Sequence, residues 1–170
     1  EGGICSPMIA HWPNGFKAKP GTITTQTAHL VDFMATFLDV AGARYPQQIG
    51  ERKIDPLVGK SLVPIFEGQQ RDAHATLYFH FGTDRALRQG PWKIVSAKQG
   101  RWELYNLEKD RTEMNDLAKQ FPARVKAMEE VWFDIAKNQE RLKGKHLLPV
   151  KNTITKLNFR KDTSSGRVEN

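Results

Sequence analysis

Cysteine chemistry is the first possibility that this sequence raises, because its only cysteine, Cys5, lies in the string Cys5-Ser6-Pro7. A single cysteine cannot form a disulfide within the chain, and no cysteine and histidine spacing is typical of a zinc site. Met8 and Ile9 then continue an apolar run instead of supplying a base or a cation. We therefore interpret Cys5 as an ordinary residue at the edge of a strand.

Two histidines and one carboxylate are further candidates. His80 ends a short β-rich segment beside Gly82, where an imidazole can reach a pocket as a hydrogen-bond donor. A histidine satisfied within the sheet is an equally good interpretation. His29 and Asp32 are three residues apart and can pair on one helix face. For Asp32 we favour a structural role, as a first-turn carboxylate that complements the helix dipole.

Charged residues give weaker signals. Arg85 and Arg88 flank a predicted strand and can meet an anionic group, although pairing with acids of the neighbouring strands is favoured. Hard cations need several converging oxygen ligands, whereas the acids of this chain are dispersed. The sequence therefore predicts no metal site in this chain.

The first half of the chain contains one clear strand and one clear helix. Residues 7–12 form a short apolar run closed by a turn, which favours a strand in a covered parallel sheet. Residues 28–41 carry apolar side chains at helical spacing on one face, with Thr27 as the predicted N-cap. These are Leu30, Phe33, Met34, Phe37, Leu38 and Ala41.

In the second half of the chain, strand-like segments replace the helical spacing of apolar residues. Four short β-rich segments separated by turn residues predict an antiparallel sheet: 76–81, 86–89, 92–97 and 102–106. Pro122 then begins a helix that runs to about Asn138, and Trp132 lies on the face expected to cover the sheet. We predict three parts: the end of an α/β domain at 1–70, an α+β subdomain at 71–150 and a mobile tail at 151–170.

The charge of the chain is concentrated at its end. The net charge is +7, and residues 137–170 hold nine Lys or Arg against three Asp or Glu. A polybasic tail can touch nucleic acid or a membrane, but no aromatic stacking pattern interleaves the charges. A solvated extension is the favoured interpretation, and no apolar run reaches the length of a membrane span.

Taken in order, several strings resemble the C-terminal part of an arylsulfatase, in the sulfatase family of the alkaline-phosphatase-like superfamily. The strings that carry the resemblance are EGGI at 1–4, WP at 12–13, HLVD at 29–32, GKSL at 59–62, ALR at 86–88, WK at 92–93 and ELYNL at 103–107. Residues 110–117 continue the resemblance, which extends over residues 1 to about 150.

The resemblance implies a fold, an activity and a position in a longer protein. The fold is the last strand and helix of an alkaline-phosphatase-like sheet, followed by a small antiparallel sheet under a C-terminal helix. The parent would hydrolyse sulfate esters with a calcium ion and a formylglycine, both expected in a missing N-terminal region, in the periplasm or outside the cell. The family nucleophile lies far upstream and continues with serine and arginine, which Met8 and Ile9 replace here.

Within that resemblance, His80 is the one predicted substrate-binding residue, and the chain alone is expected to be inactive. Its expected partners are the missing N-terminal sulfatase region, a sulfate-ester substrate through the complete enzyme, and further copies of itself. Two alternatives stay open. One is a non-enzymatic interaction module with a basic tail, and the other is part of a related phosphatase or phosphonate hydrolase.

Overall fold

The computed structural model of the chain describes residues 1–147. They form two units that interleave along the sequence. Unit 1 comprises Glu1–Leu77, Arg88–Lys93 and Asn106–Met114, and unit 2 comprises Tyr78–Leu87, Ile94–Tyr105 and the described residues from Asn115 onward. The predicted tail at 151–170 lies outside the described residues, and the predicted division at residue 70 stays a prediction.

Helix α1 of unit 1 spans Asp32–Val40 and begins later than the predicted residue 28. Thr27 is the predicted N-cap, but the capping contact lies between His29 and Asp32. Asp32 Oδ2 accepts a hydrogen bond from the backbone N–H of His29 at 2.9 Å, as the inner residue of a capping box does. The carboxylate therefore fixes the start of the helix.

The predicted apolar face of α1 is exposed in this chain. Leu30, Met34 and Phe37 keep 76%, 53% and 66% of their surface accessible. The side that is buried instead carries Ala35 and Thr36. Its small side chains approach the remainder of unit 1, which leaves the large apolar ones without a cover.

Residues 7–12 do not form the predicted strand, because no strand partner for them lies within residues 1–147. A strand needs a neighbour to accept and donate its backbone hydrogen bonds. Ile9 is 94% exposed in this extended segment. The apolar run therefore has the composition of a covered strand without the sheet that would cover it.

Short elements complete the first 75 residues of unit 1. Strands β1, Gln48–Ile49, and β2, Arg52–Lys53, form a small antiparallel hairpin. Helix α2, Val63–Phe66, lies next to α1, and its Phe66 ring packs 4.8 Å from that of Phe16. The amide of Leu62 donates to Thr36 Oγ1 at 2.9 Å, which ties the two helices together.

The predicted antiparallel sheet is present. Its strands are adjacent in chain order: β3, Leu77–Phe81; β4, Asp84–Gln89; β5, Trp92–Ser96; and β6, Glu103–Asn106. Only two to six residues connect successive strands, too few for a parallel crossover. Gly82 and Gly90 start the two tight turns with positive φ angles of 60° and 56°, which glycine adopts without steric cost.

Helix α3 spans Pro122–Asn138, as predicted. Within unit 2 its Trp132 is fully buried and donates its indole N–H to the Phe79 carbonyl at 3.2 Å. The same ring stacks on Tyr78 at 5.3 Å. The predicted cover of the sheet by this helix is therefore confirmed. No helix within residues 1–147 has both the length and the apolar character needed to cross a bilayer.

Candidate functional site

A buried carboxylate network is the most ordered polar cluster of unit 1. Asp32 is fully buried, and its Oδ1 accepts hydrogen bonds from the Lys60 backbone N–H at 2.8 Å and from His74 Nε2 at 2.7 Å. Its Oδ2 also accepts one from Arg71 at 3.0 Å. The network joins the start of α1 to two segments that lie far along the chain.

The network keeps Asp32 ionised. Burial opposes the charged form, but the hydrogen bonds from the Lys60 and His29 backbones and from His74 outweigh it, so the pKa of the Asp32 carboxyl lies below its usual range. An ionised carboxylate can only accept, so His74 carries its proton on Nε2. The other ring nitrogen, Nδ1, is then the atom that this imidazole can offer to a ligand.

His74 lines a pocket of unit 1 with a volume of about 210 Å³. Apolar walls come from Leu77 at the start of β3, from Pro91 in the turn between β4 and β5, and from Leu107 after β6. The Leu107 amide donates to the Pro91 carbonyl at 2.8 Å, which fixes two of these walls relative to each other. The sequence analysis missed His74, because a lone histidine in a loop carries no motif.

Arg88 is the charged group of this pocket. It is half-buried and donates its Nε–H to the Gly90 carbonyl at 3.0 Å. Within residues 1–147, this bond takes the place of the predicted pairing with an acid of a neighbouring strand. Arg85, the other candidate, is only 2% exposed in unit 2. Its guanidinium lies over the Trp132 ring at 4.9 Å and donates to the His146 carbonyl at 2.9 Å.

His80, the predicted substrate-binding residue, lies in unit 2. Its ring packs edge-on against His146 at 5.1 Å and tilted against Trp132 at 5.9 Å. Its Nε2 is buried and has no hydrogen-bond partner among the described residues. Burial, then the nearby His146 and Arg85, lower the pKa of this imidazole below its ordinary value. Its substrate role stays a prediction.

A second ionic cluster of unit 1 anchors the first residue. Lys93 on β5 is 2% exposed, and its Nζ lies 3.0 Å from Glu1 Oε1 and 2.7 Å from Glu113 Oε1. Burial opposes its charge, but the two carboxylates prevail and raise the pKa of Lys93. The cluster joins two of the strings that carry the family resemblance, EGGI and WK. Their separation in sequence hid the contact.

The described residues do not fit the cofactors that the family implies. Within residues 1–147, no group of three or more His, Cys, Asp or Glu side chains converges as a metal site. Cys5 is exposed, and Arg111 lies 3.4 Å from its sulfur. The Glu1 carboxylate makes a side-chain hydrogen bond with the same thiol.

The family comparison covers nearly the whole described chain. A profile of the family named "N-sulphoglucosamine sulphohydrolase, C-terminal" matches residues 1–145. A sulfatase of Formosa agariphila is 32% identical over 97 residues, which is 56% of this chain and 17% of that protein. Human arylsulfatase D is 37% identical over 83 residues, which is 48% of this chain and 13% of that protein.

Solved structures agree. The crystal structure of Ps i-CgsB superposes with a TM-score of 0.53 at 27% sequence identity, and it covers 72% of this chain and 27% of that chain. The matched part of the chain thus spans 17% and 13% of these two relatives and 27% of this structure. Because the family profile extends over 145 of 170 residues, this chain belongs to the N-sulphoglucosamine sulphohydrolase C-terminal family and is the C-terminal part of a sulfatase.

Proposed function

We propose that this chain completes a sulfuric ester hydrolase of the arylsulfatase type by supplying its C-terminal scaffold. The observation that carries the proposal is the family match over residues 1–145 by a chain that spans only 13–17% of its relatives. The nucleophile and the metal ligands then belong to the upstream region of the same protein. Formylglycine would supply the attacking oxygen and calcium would neutralise the sulfate charge.

The exposed apolar groups of unit 1 support this role. The α1 face of Leu30, Met34 and Phe37, together with Ile9 in the unpaired 7–12 segment, is the surface that a larger sheet would bury. Apolar surface of this kind on a soluble protein marks a contact with another surface. In the complete enzyme, residues 7–12 would pair as a strand and α1 would lie on the face of that sheet.

Two features of this chain position groups for the upstream region. The Asp32 network fixes the start of α1, and the Lys93 cluster holds Glu1, the residue that continues into the upstream chain, on β5. The proposed role of His80 as a substrate contact rests on the family resemblance. The buried Nε2 of this residue has no hydrogen-bond partner among the described residues.

The test compares the 170-residue chain with the protein that includes its upstream region. Release of a chromogenic aryl alcohol from its sulfate ester is measured with calcium present. We expect turnover only from the complete protein, and Cys5→Ala in that protein is expected to leave the rate unchanged. Turnover by the 170-residue chain that disappears in Cys5→Ala would overturn the proposal.

A further inference from the structure

The pocket beside His74 is lined by the guanidinium-bearing residue Arg88. Arg88 donates its Nε–H to the Gly90 carbonyl, and that hydrogen bond fixes the plane of the guanidinium. Its two terminal amino groups make no hydrogen bond or ion pair with any residue in the range 1–147. A half-buried guanidinium with its outer donors unengaged is arranged to receive an oxygen-bearing anion, since that fork matches such groups in geometry and charge.

A hydrogen-bond acceptor lies in the same pocket. His74 lines the pocket, and its Nε2 lies 2.7 Å from Asp32 Oδ1. Its other ring nitrogen, Nδ1, makes no hydrogen bond within the described chain. Thr27 also lines the pocket, so three residues with polar side chains surround one space. The Asp32 network keeps the His74 ring in place without using the atom that a ligand would meet.

The charged residues that line the pocket indicate which class of anion it can bind. Glu108 also lines it, with its side chain exposed at the surface. A carboxylate near the Arg88 cation disfavours a doubly charged ion and can accept a hydrogen bond from a hydroxyl group. A sulfate monoester carries one negative charge, and a sugar that bears it also brings hydroxyls.

The size and the walls fit the same ligand. At about 210 Å³ the pocket is smaller than typical ligand pockets of about 300–1,000 Å³, so it suits one sugar ring or less. Leu77, Pro91 and Leu107 provide apolar walls against which the carbon face of a ring can lie.

We propose that the pocket of His74 and Arg88 is a binding site for the singly charged sulfate group of a sugar sulfate. The Arg88 guanidinium donates to the sulfate oxygens, and His74 Nδ1, Glu108 and Thr27 bind hydroxyls of the ring. The inference deepens the proposed function and rests on it for its biological role, since it adds a sulfate contact to the C-terminal scaffold. The binding itself needs no catalytic centre.

The experiment measures ligand-observed saturation-transfer NMR on the full 170-residue chain with three probes: glucose 6-sulfate, sodium sulfate and glucose. We expect glucose 6-sulfate to bind with a Kd on the order of 1 mM, sodium sulfate to bind more weakly, and glucose to give no saturable signal. Equal binding of glucose and glucose 6-sulfate, or tighter binding of sodium sulfate, would overturn the assignment.

Variants locate the site. Arg88→Gln is expected to weaken glucose 6-sulfate at least about 10-fold, while Arg44→Gln, at an exposed arginine of unit 1, keeps the wild-type Kd. Equal weakening by both variants would mean general charge attraction and would sink the proposal. Glu108→Gln alters an exposed side chain and spares the fold. It is expected to tighten sodium sulfate, and an unchanged Kd contradicts the part given to Glu108.

The two proposals fail separately. A complete enzyme that hydrolyses aryl sulfates, combined with a 170-residue chain that shows no glucose 6-sulfate binding, overturns the pocket alone. Binding that depends on Arg88, combined with an inactive complete protein, overturns the proposed hydrolase and leaves the pocket as a sulfate-binding site.

Discussion

His80 shows how one buried imidazole couples the stability of unit 2 to pH. Burial and the neighbouring His146 and Arg85 lower its pKa below the ordinary 6.5, so the unfolded chain binds this proton more readily than the folded chain does. Stability then rises with pH between the folded pKa and 6.5, is fully present above 6.5, and is lost as the pH falls through that window.

We expect His80→Gln to lose less stability than the wild type between pH about 7.5 and about 5.5, because the neutral amide does not titrate. The free energy of unfolding is measured by denaturant titration at both pH values. His11→Gln, at an exposed histidine, serves as the control. Some pH dependence remains in both variants, since burial also lowers the pKa of His29. Identical losses in wild type and His80→Gln would contradict the described environment.

At the same scale, the sequence identified Asp32 but not its partners from later in the chain. Asp32 stood out at the first turn of a predicted helix, and its structural role is the one observed. Its partners Arg71 and His74 lie 39 and 42 residues away. A contact over such a distance depends on how the loops fold back, and single-sequence spacing carries no record of that.

Elements were predictable where a local signal defines them. Helix α3 begins at Pro122 and ends at Asn138 as expected, because a proline at the start and a regular apolar period need no distant partner. The sheet strands follow the turn residues between them. Residues 7–12 have an equally clear apolar run, yet a strand exists only when another strand pairs with it.

The packing of α3 gives the prediction at this scale. Trp132 is fully buried, stacks on Tyr78 and bonds to the Phe79 carbonyl. Trp132→Ala is expected to lower the free energy of unfolding by about 3–5 kcal/mol, because it leaves a large cavity. Lys126→Ala, at an exposed position of the same helix, is expected to change it by less than about 0.5 kcal/mol.

Chemical denaturation followed by circular dichroism measures both variants. The Lys126 control also reports any general effect of alanine on the helix. A midpoint in Trp132→Ala that equals that of the wild type would place α3 off the core of unit 2.

For the whole molecule, the uncovered surfaces predict association. The backbone of residues 7–11 makes no backbone hydrogen bond to the described residues, and unpaired groups of this kind template pairing with another chain. The α1 face adds Leu30, Met34 and Phe37, and apolar side chains grouped in this way drive contact when nothing covers them. The same two surfaces are those that the proposed upstream region would bury.

We therefore expect the 170-residue chain to dimerise or aggregate, or to exchange amide hydrogens faster in residues 1–45 than in residues 76–138. Light scattering and hydrogen exchange measure the two effects. The double variant Leu30→Glu with Phe37→Glu is expected to reduce association, because it places charge on the α1 face. Ile49→Glu with Val58→Glu is the matched control, since both side chains are exposed apolar groups outside that face. A monodisperse monomer with equal protection in both ranges would contradict the open surface and favour a self-contained module.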